Sequence, residues 1–155
     1  GSETKLEEIN LSEIVEKVVS YLDRRLPSMG KTVELSNEVD SEININANGV
    51  LISWAIENVI KNGIDAVDND GKICVRMRKT FKNVVIQIVD SGKGISRKDW
   101  RNIFRPGFSS KAQGWGLGLS LTSRIIKEIH GGSIRVAKSN IGNGTTIEIT
   151  LPQPN

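Results

Sequence analysis

Apolar residues recur along the chain at two different spacings, and the switch from one to the other lays out the elements. Leu11, Ile14, Val15, Val18, Val19 and Leu22 return at three- and four-residue intervals. That spacing predicts an amphipathic helix, closed by Pro27 and Gly30. Residues 32–39 alternate apolar and polar and read as a strand, with Ile43 and Ile45 marking a second short one. Residues 49–67 return to helical spacing up to an Asn69-Asp70-Gly71 turn. Residues 72–79 and 84–90 alternate again as a hairpin, and Cys74 there reads as a small buried hydrophobe.

Between Ser91 and Gly118 the periodicity fades and six glycines appear, with a short helix expected near residues 99–104. Helical spacing resumes over residues 116–129 and stops at Gly131-Gly132. Residues 133–137 and 145–151 form a last hairpin around Gly142-Asn143-Gly144. Strands that arrive as hairpins, with helices between them, predict an α+β sandwich of a mostly antiparallel sheet with helices on one face. The glycine-rich stretch is longer than an ordinary connection, and loops of that length are usually functional lids or disordered.

Composition agrees with one packed domain over residues 3–155: 37% of residues are hydrophobic and 25% charged. Gly1-Ser2 reads as a cloning scar on a piece of a longer protein. The net charge of +3 is mild. The one dense basic cluster, Arg97, Lys98, Arg101, Arg105 and Lys111, reads as a solvated face, so no nucleic-acid partner is expected. A single cysteine excludes an internal disulfide and fits a reducing compartment.

At about 100° per residue, Ile52, Ile56, Val59, Ile60, Gly63 and Val67 share the core stripe of the second long helix. Trp54, Asn58, Asn62 and Asp65 share the neighbouring face, and Lys61 stands at its edge. Asparagine is a mediocre helix former. Two of them four residues apart are either a solvated face or a pair of neutral oxygen donors suited to a hard cation. Lys61 would reach a phosphate there.

Asp90-Ser91-Gly92-Lys93-Gly94-Ile95 follows a strand directly. Its aspartate is either a turn former or an acceptor for an adenine amino group, with Gly92 and Gly94 letting backbone run close to the base. Gly114-Trp115-Gly116-Leu117-Gly118-Leu119 opens the last helix. Its glycines serve as a hinge, or leave bare amides for an anion. Between the two segments, Phe104 and Phe108 would anchor a mobile loop on the core. Lys111 would meet the terminal phosphate as that loop closes.

Four segments in register resemble the boxes of the ATP-binding domain of sensor histidine kinases, in the superfamily shared with gyrase B and MutL. Glu57-Asn58-Val59-Ile60-Lys61-Asn62-Gly63-Ile64-Asp65-Ala66 resembles the N box. Asp90-Ser91-Gly92-Lys93-Gly94-Ile95 resembles the G1 box, residues 103–111 the F box and residues 114–119 the G2 box. The resemblance covers residues 9–152. It implies a Bergerat-type two-layer fold, with a mixed, mostly antiparallel sheet under three helices and an ATP lid over residues 93–118. It also implies ATP and Mg²⁺ as cofactors. Asn62 would hold the metal and Asn58, as the catalytic residue, would lie beside the phosphates. Asp90, Gly92, Gly94 and Ile95 would line the adenine pocket, with Thr145 assisting through water. Gly114, Gly116, Leu117 and Gly118 would turn backbone amides to phosphate, beside Phe108 and Lys111.

Two departures bear on mechanism. Asp65 stands where many relatives carry a lysine, which leaves Lys61 and Lys111 as the candidate phosphate cations. Hydrolytic relatives carry glutamate at the position of Asn58. Glu57 is adjacent but about 100° away, which favours phosphotransfer over hydrolysis. The resemblance therefore implies a histidine protein kinase of a two-component system. It would act on a histidine in a separate dimerisation domain, with a response regulator downstream and a membrane-anchored parent holding this domain in the cytoplasm. His130, in His130-Gly131-Gly132, resembles a structural residue of the family, so the isolated domain is expected to be a monomer that binds ATP without phosphorylating itself. The alternatives are an anti-sigma-type serine kinase of the same fold and a nucleotide-gated interaction module without catalysis.

Overall fold

The computed structural model describes residues 5–39, 42–108 and 118–154. Its order is β1 (Glu7–Asn10), α1 (Leu11–Arg25), β2 (Thr32–Glu38), β3 (Asn44–Ala47), α2 (Gly49–Ala66), β4 (Asp70–Lys79), β5 (Asn83–Asp90), α3 (Ser120–Arg124), β6 (Ser133–Ser139) and β7 (Thr145–Pro152). Ile125–Ile129 continues α3 as a wider π-helical turn.

Local chemistry sets the helix starts. Asn10 caps α1 by accepting from the Glu13 amide at 3.0 Å, and Asn48 caps α2 by accepting from the Leu51 amide at 3.0 Å. Beyond α1 a 3-10 turn over Leu26–Met29 runs into Gly30, whose φ of 71° closes the segment. The predicted stripes are buried at Leu11, Val15, Val18, Val19 and Leu22 on α1 and at Ile52, Ile56, Val59, Ile60 and Gly63 on α2; Ile14 is only half-buried, and Val67 is buried as the residue that caps the end of α2.

Five strands form one sheet in the order β2-β4-β5-β7-β6. Every pairing in it is antiparallel except β2 with β4, which is parallel because α2 lies on the crossover between them. The sheet and the helices enclose one core, rich in isoleucine. This is the expected α+β sandwich with a mixed, mostly antiparallel sheet.

Several details differ from the sequence expectation. Strand β1, Glu7-Glu8-Ile9-Asn10, pairs with β3 in a separate two-stranded ribbon; it carries no alternation that would announce it. Asp70 and Gly71 belong to β4 and pair with Thr32 and Val33, so the turn there is shorter than expected. Cys74 is half-buried, not a core residue, because Ile73 and Val75 take the inward positions on β4. The stretch after β5 holds two 3-10 turns, Arg97–Asp99 and Asn102–Phe104, in place of one short helix. The last helix begins at Ser120 rather than residue 116; the left-handed φ of 59° at Gly118 cannot belong to a right-handed helix.

Candidate functional site

Strand β5 buries every second residue, Val84, Ile86 and Ile88, and the same register carries on to Asp90. The alternation therefore delivers a carboxylate to a core position, where it is 7% exposed. Burial pushes its pKa from 3.8 up to about 6, while the backbone amides of Gly92 and Thr145 pull it back down. The Gly92 amide donates to Oδ1 at 2.8 Å. The other oxygen, Oδ2, lies against α2 at Gly63, where an added Cβ would stand 3.5 Å from it.

Asp90 belongs to a row across the sheet. Its partner on β7 is Thr145 and the partner of Thr145 on β6 is Ser139, all on the face under the helices. Ser139 and Thr145 are each 5% exposed. Their hydroxyls are 2.7 Å apart. Ser139 Oγ also accepts from the Ile95 amide at 2.8 Å and donates to the Gly144 carbonyl at 3.0 Å. The loop after β5 is laced to the β6–β7 turn by the Gly142 amide on Lys93 O at 2.7 Å and the Gly144 amide on Gly92 O at 3.0 Å.

Asn58, 8% exposed, lies on α2 five residues before Gly63. Its Nδ2 donates to the Gly118 carbonyl at 2.8 Å and to Thr122 Oγ1 at 2.9 Å. A carbonyl only accepts, so the amide orientation is fixed and the oxygen is the atom left to meet a ligand. One turn further along α2 stands Asn62, half-buried. The geometry thus sets a buried carboxylate at one end and the Asn58 amide beside the start of α3 at the other.

A family profile described as "Histidine kinase-, DNA gyrase B-, and HSP90-like ATPase" matches residues 47–155, more than half of the chain. The chain belongs to this family. Sporulation kinase C of Bacillus subtilis (strain 168) is 31% identical over 142 residues, covering 92% of this chain and 33% of that protein. The catalytic domain of histidine kinase ThkA superposes with a TM-score of 0.85 at 29% identity, covering 96% of each chain. ThkA in complex with response regulator protein TrrA gives a TM-score of 0.82 at 26% identity, covering 96% of this chain and 42% of that one. The chain spans about a third of the length of the curated relative it matches.

Within this histidine kinase ATP-binding catalytic domain, the sequence-derived residues fall into three groups. Asp90, Gly92, Gly94, Ile95 and Thr145 come together at the ends of β5 and β7. Asn58, Asn62 and Asp65 line successive turns of α2, and Gly118 meets Asn58. Lys111, Gly114, Gly116 and Leu117 lie outside the described residues.

The glycines of the first loop owe their identity to the chain itself. A Cβ on Gly92 would stand 2.6 Å from Ala66 O, and one on Gly94, whose φ is 80°, would stand 2.0 Å from Asn140 O. Both glycines run close to the domain's own backbone. The start of the expected lid is likewise tied down, by the bonds from Ile95 and Lys93 to β6 and the β6–β7 turn, and by Trp100 Nε1 donating to Ile95 O at 3.1 Å. Phe104 packs on the core as expected, whereas Phe108 does not anchor there and is 39% exposed.

Lys61 is bound to Glu57 at 2.7 Å, four residues back on the same helix. Its ammonium therefore has a carboxylate partner, and Glu57 in turn is held beside a lysine. Arg97 of the basic cluster stacks over Trp100 at 4.4 Å. His130 is 7% exposed. Its Nε2 accepts from the Asn48 amide at 3.0 Å, and its Nδ1 contacts Ile125 O at 2.8 Å. A carbonyl only accepts, so the proton is on Nδ1 and the ring is neutral. It ties the end of α3 to the cap of α2.

Ser139, Thr122 and Gly63 are the site residues that sequence reasoning missed. Gly63 was placed in the core stripe, where it is. Its part beside Asp90 follows only from the packing of α2 on β5.

Proposed function

We propose that this domain binds Mg-ATP and supplies its γ-phosphate to a histidine on a separate dimerisation domain of a two-component sensor kinase. The observation that carries the nucleotide part is Asp90. The Gly92 and Thr145 amides offset only part of the cost of burying this carboxylate, and an adenine amino group is a further donor of the kind it can accept from. The base would sit against Gly63 and Ile95, with the phosphates running along α2 toward Asn58 and Asn62.

The donor set fits a magnesium ion. Mg²⁺ takes oxygen ligands and is usually held by one or two protein groups plus substrate phosphates. The amide oxygen of Asn62 supplies such a ligand without adding charge that repels a triphosphate. Asn62 would hold the ion there, and its positive charge would offset that of the phosphates. Asn58, with its nitrogen fixed by Gly118 and Thr122, would present its oxygen beside the phosphates. Among the described residues no group of three or more His, Cys, Asp and Glu side chains could hold a metal.

One feature favours transfer over hydrolysis, and a second bears on where the acceptor lies. Glu57, the nearest glutamate in sequence to Asn58, is engaged by Lys61 at 2.7 Å. His130, the only histidine in the sequence, has both ring nitrogens occupied inside the fold. Both contacts support an acceptor histidine on another domain. A response regulator is the fitting downstream partner, as TrrA is for ThkA in their complex. Among the described residues no helix is long and apolar enough to cross a membrane.

The test is radiolabel transfer. With γ-labelled ATP and Mg²⁺ the domain alone gains no label, whereas a mixture with the parent's dimerisation domain gains acid-labile label on that domain. Label on His130 of the isolated chain, or acid-stable label on the dimerisation domain, refutes the proposal.

A further inference from the structure

The hydroxyl of Ser139 has three neighbours and only one proton to give. The Ile95 amide at 2.8 Å is a donor, so Ser139 accepts there. The Gly144 carbonyl at 3.0 Å is an acceptor, so the Ser139 proton goes to it. One lone pair is left, and the remaining neighbour is Thr145 Oγ1 at 2.7 Å. Thr145 must therefore donate to Ser139. The reverse assignment would leave two acceptor oxygens facing each other at 3.0 Å in a buried site, Ser139 Oγ and Gly144 O, with no proton between them.

That fixes the polarity of Thr145. Its proton is committed to Ser139, so toward the pocket its oxygen offers lone pairs only. Its cross-strand neighbour Asp90 offers carboxylate lone pairs on the same face. Cross-strand partners bring their Cβ atoms to about 5 Å, close enough for both oxygens to meet one edge of a planar base.

We propose that Ser139 is a specificity-positioning residue: by taking the proton of Thr145 it makes the polar end of the pocket acceptor-only, which selects a 6-amino purine over a 6-oxo purine. The inference rests on the adenine-nucleotide reading above and deepens it. A 6-amino group brings hydrogens to this edge, directly or through one water. A 6-oxo group brings an acceptor, which neither Asp90 nor a locked Thr145 can satisfy. A threonine free to rotate would turn its proton toward the oxo group and lose the distinction.

The experiment uses ADP and inosine diphosphate, which differ at the 6-position of the base and in the N1 proton that accompanies the oxo form. Their dissociation constants are measured by calorimetry on the wild-type domain, Ser139→Ala, Thr145→Val and the double variant. The wild type prefers ADP, and each single variant lowers that preference about tenfold, the value of one hydrogen bond satisfied or lost. Because Ser139 acts through Thr145, the double variant lowers the preference no further than Thr145→Val alone.

A merely structural Ser139 would weaken both nucleotides equally; an unchanged ratio in Ser139→Ala, or additive losses in the double variant, overturns the proposal. Thr145→Val keeps the side-chain volume, so an unchanged ratio there overturns it even where Ser139→Ala folds poorly. A wild-type domain that binds ADP without discriminating against the inosine nucleotide overturns this inference alone. One that binds neither overturns the nucleotide reading itself and this inference with it.

Discussion

Replacing Asp90 with asparagine separates what this residue does for folding from what it does for ligand. Burial holds the carboxyl proton more tightly in the folded chain, with a pKa of about 6 against 3.8 when exposed. A raised acid favours the folded state fully below its unfolded pKa, and the benefit is lost as pH rises through the folded value. The window is therefore about pH 4 to 6, and across it the wild type loses about 3 kcal/mol relative to a chain without this group. In Asp90→Asn the side-chain oxygen still accepts from the Gly92 amide, but no charge is buried.

The thermal midpoints of both proteins should be recorded between about pH 4.5 and 7.5. The midpoint difference, variant minus wild type, should climb through that window to a plateau of several degrees, at about 2–4 °C per kcal/mol for a chain this size. The same variant should lose ADP binding by more than about 100-fold, since an amide donor would face the amino donor of the base. A midpoint difference that stays constant with pH would show that the carboxyl is not perturbed, and the case for Asp90 as a stored acceptor would fail.

Other outcomes follow from the same contacts. Adenine binding to ionised Asp90 should weaken about tenfold between about pH 7.5 and pH 5 in a fluorescent-nucleotide titration, and a flat profile would contradict it. Asn58→Ala removes both donors to Gly118 O and Thr122 Oγ1, so its urea midpoint should drop by the equivalent of about 1–3 kcal/mol alongside a loss of nucleotide affinity. His130→Ala strands the Asn48 amide and the Ile125 carbonyl in a buried site; it should cost about 2–4 kcal/mol in denaturant unfolding.

Much of this was legible in the sequence because the signals are local. The stripes of α1 and α2 and the β4–β5 and β6–β7 hairpins follow from spacing alone. Asp90 was legible twice, as a motif and as the end of an alternation that includes Val84, Ile86 and Ile88. Lys61 was read toward a phosphate, and the structure pairs it with Glu57 four residues back on the helix.

What escaped is non-local. Nothing in Glu7–Asn10 names β3 as its partner, and the parallel pairing of β2 with β4 depends on where α2 packs. The need for glycine at positions 92 and 94 comes from Ala66 and Asn140, which only the closed fold brings near. Ser139 is an ordinary strand serine until the register sets it beside Thr145.

The most direct test of a Mg-ATP pocket on α2, β5 and β7 is a calorimetric titration of a non-hydrolysable ATP analogue, with and without Mg²⁺, on the wild type and Asn62→Leu. One site per chain is expected, tightened by Mg²⁺ in the wild type, with that tightening lost in the variant. No binding by the wild type, or the same response to Mg²⁺ in both proteins, would contradict it.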